Sequence, residues 1–221
     1  MILKSVLEMS ALILSLVNGL MLLRNYLSDR PRLFVNPIHP DVYQWFFPLP
    51  KGEYQDQQTR KYGFLVYFAV GNRGLRDVSL ESWRLHLKTV RGKWVELKPL
   101  SIPEPQIELG QSGSSKVYPV LGQKGPYFQG DIMIKAGSSV SGFAYYIAEF
   151  YGGRAWEPSI KEGKAIGRIE VQSVFGKKAQ SKIFFTEIPL EKARTMIMDI
   201  DKIDLAESTA PNSDTNGAAK T

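Results

Sequence analysis

The chain has 221 residues, with 28 Lys/Arg, 22 Asp/Glu, two histidines, no cysteine and a net charge of +6. Without cysteine there is no disulfide framework, thiol catalysis or thiolate metal site. His39 and His86 have no carboxylates spaced around them as a metal site needs, so no cofactor or metal is expected. No Asn-x-Ser/Thr sequon occurs, which removes one reason to place the domain in a secretory lumen.

Residues 1–27 read as a membrane anchor helix. From Met9 to Leu23 there is no charge. Adding Ile2, Leu3, Val6 and Leu7 gives a length that matches the roughly 20 mainly apolar residues a bilayer requires. Lys4 and Glu8 stand four apart, share a helix face and can pair. A cleaved secretory leader is disfavoured because Glu8 interrupts its basic start and no small-x-small site follows the apolar core. A buried or interfacial amphipathic helix is the other rival. Ala11, Ser15 and Gly19 recur at steps of four, a small-xxx-small pattern that lets helices approach closely in lipid. Asn18 in mid-span gains by hydrogen bonding to a partner. A helix–helix interface through Ala11, Ser15, Asn18 and Gly19 is therefore expected, with self-association or another membrane protein as the partner. Arg24, Arg30 and Arg32 follow the core, and the positive-inside tendency leans toward a cytoplasmic domain, with the extracytoplasmic side as the alternative.

Residues 28–60 form an aromatic, proline-rich lead-in with a first strand at Leu33–Asn36. Prolines at 37, 40, 48 and 50 exclude a helix. Trp45, Phe46 and Phe47 in a row leave neither face of a strand polar. Either they plug the domain, or with Tyr26 they form an aromatic belt at the lipid headgroups.

Residues 61–188 read as a β-sandwich. Tyr62, Phe64, Val66, Phe68 and Val70 alternate on one face, while Leu65, Tyr67 and Ala69 keep the other largely apolar. Trp83, Leu85 and Leu87 point inward against Arg84, His86 and Lys88, so His86 is expected in solvent. Arg91-Gly92 turns the chain into Lys93–Leu97. Pro99–Gly113 reads as a loop, with short strands at Ser115–Val120 and Asp131–Lys135 and a long one at Val140–Phe150. Ile166–Phe175 and Gln180–Glu187 close the domain as a hairpin. With no crossover helix, an antiparallel sandwich is the natural arrangement.

Pro189–Leu205 switches period: Leu190, Ala193, Ile197, Ile200 and Ile203 recur at threes and fours, predicting an amphipathic helix over 189–205. Asp199, Asp201 and Asp204 lack the frame of a calcium loop. Residues 206–221 are small and polar and read as a disordered tail.

Residues 30–187 carry 22 Lys/Arg against 14 Asp/Glu. A basic domain suits an anionic lipid surface, although its charges alternate along strands as solvated faces do. Without a basic stripe, no nucleic-acid partner is expected. Gly110-Gln-Ser-Gly-Ser and Gly137–Gly142 are turns, since neither is a Gly-x-Ser-x-Gly elbow.

The strand ending in Asn72-Arg-Gly74, followed by Val78-Ser-Leu and its continuation to Leu87, resembles bacterial Ig-like adhesion and CARDB-type modules over residues 60–90. The resemblance implies an Ig-like topology with a binding or spacing role, and carries no functional residues with it. The expected protein is mainly β, an antiparallel Ig-like sandwich with an N-terminal membrane helix and a C-terminal amphipathic helix. Its expected role is that of a non-enzymatic, membrane-anchored interaction module, with membrane lipid and another membrane protein as partners. An extracytoplasmic ligand- or glycan-binding module using exposed aromatics, Trp45, Trp94 or Trp156, is the alternative.

Overall fold

The structure, a computed structural model, describes residues 2–28, 30–40, 42–54, 57–100, 106–111, 114–119, 132–197 and 200. The helix α1 (Ile2–Ser28) comes first, followed by β1 (Leu33–Pro37), β2 (Gln44–Leu49), β3 (Glu53–Tyr54), β4 (Gln57–Gln58), β5 (Arg60–Asn72), β6 (Val78–Lys88) and β7 (Trp94–Leu97). Then come β8 (Gln106–Gln111), β9 (Ser114–Pro119), β10 (Ile132–Ile134), β11 (Ser139–Phe150), β12 (Ile160–Lys161), β13 (Lys164–Ser173), β14 (Lys178–Glu187) and α2 (Leu190–Met196). The molecule is mainly β, built on one large mixed sheet, with one apolar helix at its N-terminal side.

The longest strand, β5, is the spine of that sheet. Along one edge β11 pairs with it antiparallel over its whole length, from Ser139 opposite Gly71 to Phe150 opposite Arg60. The other edge is shared: β1 faces Phe68–Asn72 and β2 faces Lys61–Val66. Gln44 heals the break between β1 and β2. Its side-chain amide donates to the carbonyls of Ile38 (3.1 Å) and Tyr67 (2.8 Å), and its oxygen accepts the Tyr67 N–H (3.2 Å). A buried amide so fully paired carries little desolvation penalty. From β2 the sheet continues through β14, β13 and β6, whose outer edge pairs with β7 and β10.

This path curls, so its two halves face each other. Phe64, Val66 and Phe68 of β5 and Tyr146 of β11 meet Trp83, Leu85 and Leu87 of β6, with Ile169, Val171, Ile183 and Phe185 from the final hairpin. A second apolar cluster lies on the opposite face of the same spine. There Leu65, Tyr67, Phe143, Tyr145 and Ile147 are covered by Ile188, Ala193, Met196, Ile197 and Ile200. Each fully buried Phe or Leu contributes about 1.5–3 kcal/mol. Burial on both faces explains why β5 and β11 are nearly continuous apolar runs.

Several expectations are corrected. The sheet is mixed rather than wholly antiparallel, because β14 meets β2 in parallel at Trp45–Thr186 and Phe46–Glu187. Both strands run antiparallel to their other neighbours, β5 and β13, and the direction in which the curl brings them together leaves only a parallel ladder. Part of the loop expected at Pro99–Gly113 is strand β8, paired antiparallel with β9. The C-terminal helix is shorter than its periodicity implies: it stops at Met196, and Ile197 is extended (φ −132°, ψ 114°). Its apolar positions are still met, since Ala193, Ile197 and Ile200 are buried, the last two from non-helical backbone. Residues 201–221, including Asp201, Asp204 and the tail, lie outside the described residues, as does Asp199.

Candidate functional site

Three surfaces hold the side chains that sequence reasoning singles out. The first is α1. One helix, Glu8–Tyr26, is long and apolar enough to cross a membrane, and none of it packs on the β domain. Ala11, Ser15, Asn18 and Gly19 are all exposed, and a Cβ built on Gly19 would meet nothing within 4 Å. The small-residue positions are thus left open within this chain. Tyr26 is exposed at the end of the helix, with the Arg30 guanidinium 5.0 Å from its ring centre.

The other three aromatics named for a headgroup belt are inside the domain. Trp45 is 8% exposed, and Phe46 and Phe47 are fully buried. The reason is their position in β2, between the two clusters: Phe46 enters the first, while Trp45 and Phe47 enter the second. Phe47 lies over Gly63 of β5, where any side chain would collide with its ring, and stacks on Tyr145 at 6.2 Å. The plug reading accounts for these rings and the belt reading does not.

The second surface is the end of the domain next to α1, organised by the buried Asn72. Its side-chain oxygen accepts the N–H groups of Arg32 (3.2 Å) and Gly74 (2.9 Å), and its amide donates to the carbonyls of Arg76 (2.6 Å) and Ile134 (3.5 Å). Arg73 N–H donates to the Arg32 carbonyl at 2.9 Å. Asn72 therefore joins the chain leaving α1, the β5–β6 loop and the β10–β11 turn. Gly74 permits the close approach, since a Cβ there would run into the Arg30 carbonyl and Pro31. The residues Asn72-Arg-Gly74, read as a turn, are also the joint between α1 and the β domain.

The third surface is the outer face of β7, β6, β13 and β14. Trp94 (41% exposed) lies under the Arg168 guanidinium at 4.7 Å, and Lys182 sits 4.6 Å from the Phe184 ring. At the β6–β7 turn, Arg91 and Lys93 lie 5.5 and 5.4 Å from the ring of Trp156, which is 42% exposed. Such cation–π contacts hold cations and rings in place at a water-facing surface. Trp83, at 6% exposure, and Trp45 are core residues, so two of the four tryptophans face solvent.

Within this face, His86 is half-buried rather than exposed: Arg168 stands opposite it on β13, and Glu170, opposite Arg84, lies diagonally across. His86 Nε2 lies 3.9 Å from a Glu170 carboxylate oxygen, beyond hydrogen-bond range. Glu170 accepts from Lys178 Nζ at 2.9 Å and from the Gln180 side-chain amide. Burial pushes its carboxyl up, but the Lys178 and Gln180 hydrogen bonds and the Lys178 and His86 charges outweigh this and hold it below the ordinary range. This arrangement keeps a carboxylate charged at neutral pH. It offers no nucleophile–base pair, and among the described residues no group of three or more His, Asp and Glu is placed to hold a metal ion.

No protein-family model matches the chain, and no curated protein matches it. Solved structures that align with it include Northeast Structural Genomics Consortium target SoR45, at 11% identity and a TM-score of 0.28 over 72% of this chain and 89% of that one. The ApaA protein from Bordetella pertussis aligns at 10% identity and 0.28, over 72% and 96%. The sporulation control protein Spo0M from Bacillus subtilis aligns at 9% identity and 0.30, over 70% and 49%. At these TM-scores the likenesses carry no conclusion about fold family or function.

Proposed function

We propose that the protein is a single-pass membrane protein whose Ig-like β domain is a non-enzymatic interaction module, with α1 serving as both anchor and contact surface. The observation that carries this reading is α1 itself: an apolar helix long enough to span a bilayer, with none of its Glu8–Tyr26 stretch buried on the domain. In water such a helix would expose Leu12, Leu16, Leu20 and Leu23 together, whereas in lipid that exposure is favourable. The open small-residue positions Ala11, Ser15 and Gly19, with Asn18, then face a second helix, either a copy of this chain or another membrane protein. Positive charge after the span leans toward a cytoplasmic domain.

The test is extraction of membranes containing the full chain with alkaline carbonate, followed by crosslinking of the same membranes. The chain is expected to stay with the bilayer, and Gly19→Leu to lower the yield of crosslinked partner several-fold. Release by carbonate would overturn the anchor, and an unchanged yield would overturn the contact surface. Proteolysis of intact cells decides the side, since digestion of the domain from outside contradicts the cytoplasmic assignment. The alternative, ligand binding by exposed aromatics, is supported by Trp94 and Trp156 with their cations but loses Trp45 to the core.

A further inference from the structure

Three turns of the β domain gather at the end from which α1 leaves. The β5–β6 loop is tied through Asn72 and Arg73 to the chain at Arg32. The β10–β11 turn is tied to that loop, since Ala136 N–H donates to the Asp77 carboxylate at 2.8 Å and Gly137 N–H to the Asn72 carbonyl at 2.9 Å. The β13–β14 turn lies beside the start of β6, where Val174 N–H donates to the Ser79 carbonyl at 3.1 Å. Two of these turns put their largest apolar side chain into solvent at the tip: Leu75 is 66% exposed and Phe175 69%. Each is flanked by cations, Leu75 by Arg73 and Arg76, and Phe175 by Lys177. Arg30, Arg32 and Lys135 are exposed on the neighbouring segments. In segments 30–32, 72–77, 134–138 and 173–178 the one carboxylate is Asp77, and it is engaged with the Ala136 N–H.

We propose that this end of the domain is a lipid-docking face. Leu75 and Phe175 enter the headgroup boundary of an anionic bilayer, while Arg30, Arg32, Arg73, Arg76, Lys135 and Lys177 bind its charged headgroups. The inference rests on α1 being a membrane span, because the span sets these turns at the water–lipid boundary. Apolar tips interleaved with Lys and Arg are what an interfacial lipid contact requires. Each nearby cation strengthens association with an anionic surface by about fivefold. Exposed aromatics also occur at the far end, around Trp156, but no spanning helix begins there. A soluble acidic partner would use the cations without explaining the two apolar tips.

The chain has no cysteine, so single-cysteine variants report one position each. The full-length chain carrying Leu75→Cys, Phe175→Cys, Leu16→Cys or Val90→Cys is labelled with an environment-sensitive fluorophore. It is then reconstituted into vesicles of phosphatidylcholine alone or with phosphatidylserine, with nitroxide lipids as quenchers. Position 16 is expected in hydrocarbon in both vesicle types and position 90 in water. Positions 75 and 175 are expected to be blue-shifted and quenched by shallow nitroxides only with phosphatidylserine. Arg73→Glu with Arg76→Glu is expected to reduce that docked population by about tenfold or more. Water-like signals at 75 and 175 with position 16 in hydrocarbon would overturn the docking face and leave the anchor standing. Equal shielding with and without phosphatidylserine would overturn the headgroup role, and shielding at position 90 would overturn the assignment to this end. A water-like position 16 would overturn the anchor itself, and the docking face with it.

Discussion

Phe64 and Leu65 are neighbours in β5, both fully buried, yet they belong to different cores. Phe64 points into the space between the facing halves of the curled sheet, where strand meets strand and Phe185 packs edge-on at 5.1 Å. Leu65 points the other way, under a cover made by Ile188, Ala193, Met196, Ile197 and Ile200. The first core is closed by the sheet's own hydrogen-bonded ladders. The second is closed by a short helix with Ile197 and Ile200 beyond it, the Tyr145 hydroxyl donating to the Ile200 carbonyl at 3.2 Å. A core sealed by ladders opens when the domain unfolds, whereas a core sealed by a terminal segment can open locally.

The largest expected effect comes from breaking the first core. Phe64→Ala should destabilise the whole domain by about 3–5 kcal/mol, read from denaturant unfolding of the detergent-solubilised chain. A loss below about 1 kcal/mol would mean the sheet halves do not seal as described. A smaller, local effect is expected from Ile200→Asp, which sets an unpaired charge in the second core. Lifting its cover offers relief at about 1–3 kcal/mol. Amide exchange should then quicken in α2 and β11 while β13 and β14 stay protected. Equal quickening throughout would abolish the distinction between the two cores.

The smallest expected effect lies outside both cores, at Glu170. Its folded carboxyl titrates below the ordinary value of about 4.3, so its contribution is present above that pH and is lost as pH falls through the lowered folded value. Glu170→Gln should flatten the acid limb of the stability–pH curve and leave both cores' exchange patterns unchanged. A wild-type acid limb kept in the variant would assign that limb to other groups.

The first core was largely legible from sequence, because alternation in Tyr62–Val70 and Trp83–Leu87 states which face is buried. The second was half legible. Phe143, Tyr145 and Ile147 announce an apolar face, and Ala193, Ile197 and Ile200 announce something to cover it. A period of three or four cannot tell a helix that continues from one that stops at Met196. Ile197 is extended where that period implied helix, and its side chain is buried all the same. Trp45–Phe47 were ambiguous because three aromatics in a row specify burial on both faces without naming what covers them. Gln44, which bridges β1 and β2, gave no pattern at all, since a lone amide looks the same in a loop or in a core. In the turns near the end of α1, Leu75 and Phe175 stand in sequence as apolar residues among cations. Their shared location depends on a topology that no local pattern encodes.

The parallel rungs between β2 and β14 bear on the order in which the chain is made. They join the second strand of the domain to its last, so the edge of β2 stays unpaired until residue 187 has been synthesised. If α1 spans a bilayer as proposed, that wait is spent tethered at a membrane. Contacts so distant in sequence are slow to form, and an unpaired edge is a site of wrong association in the meantime. Holding the nascent domain at a surface limits its encounters with other unfinished copies to those in the same bilayer plane.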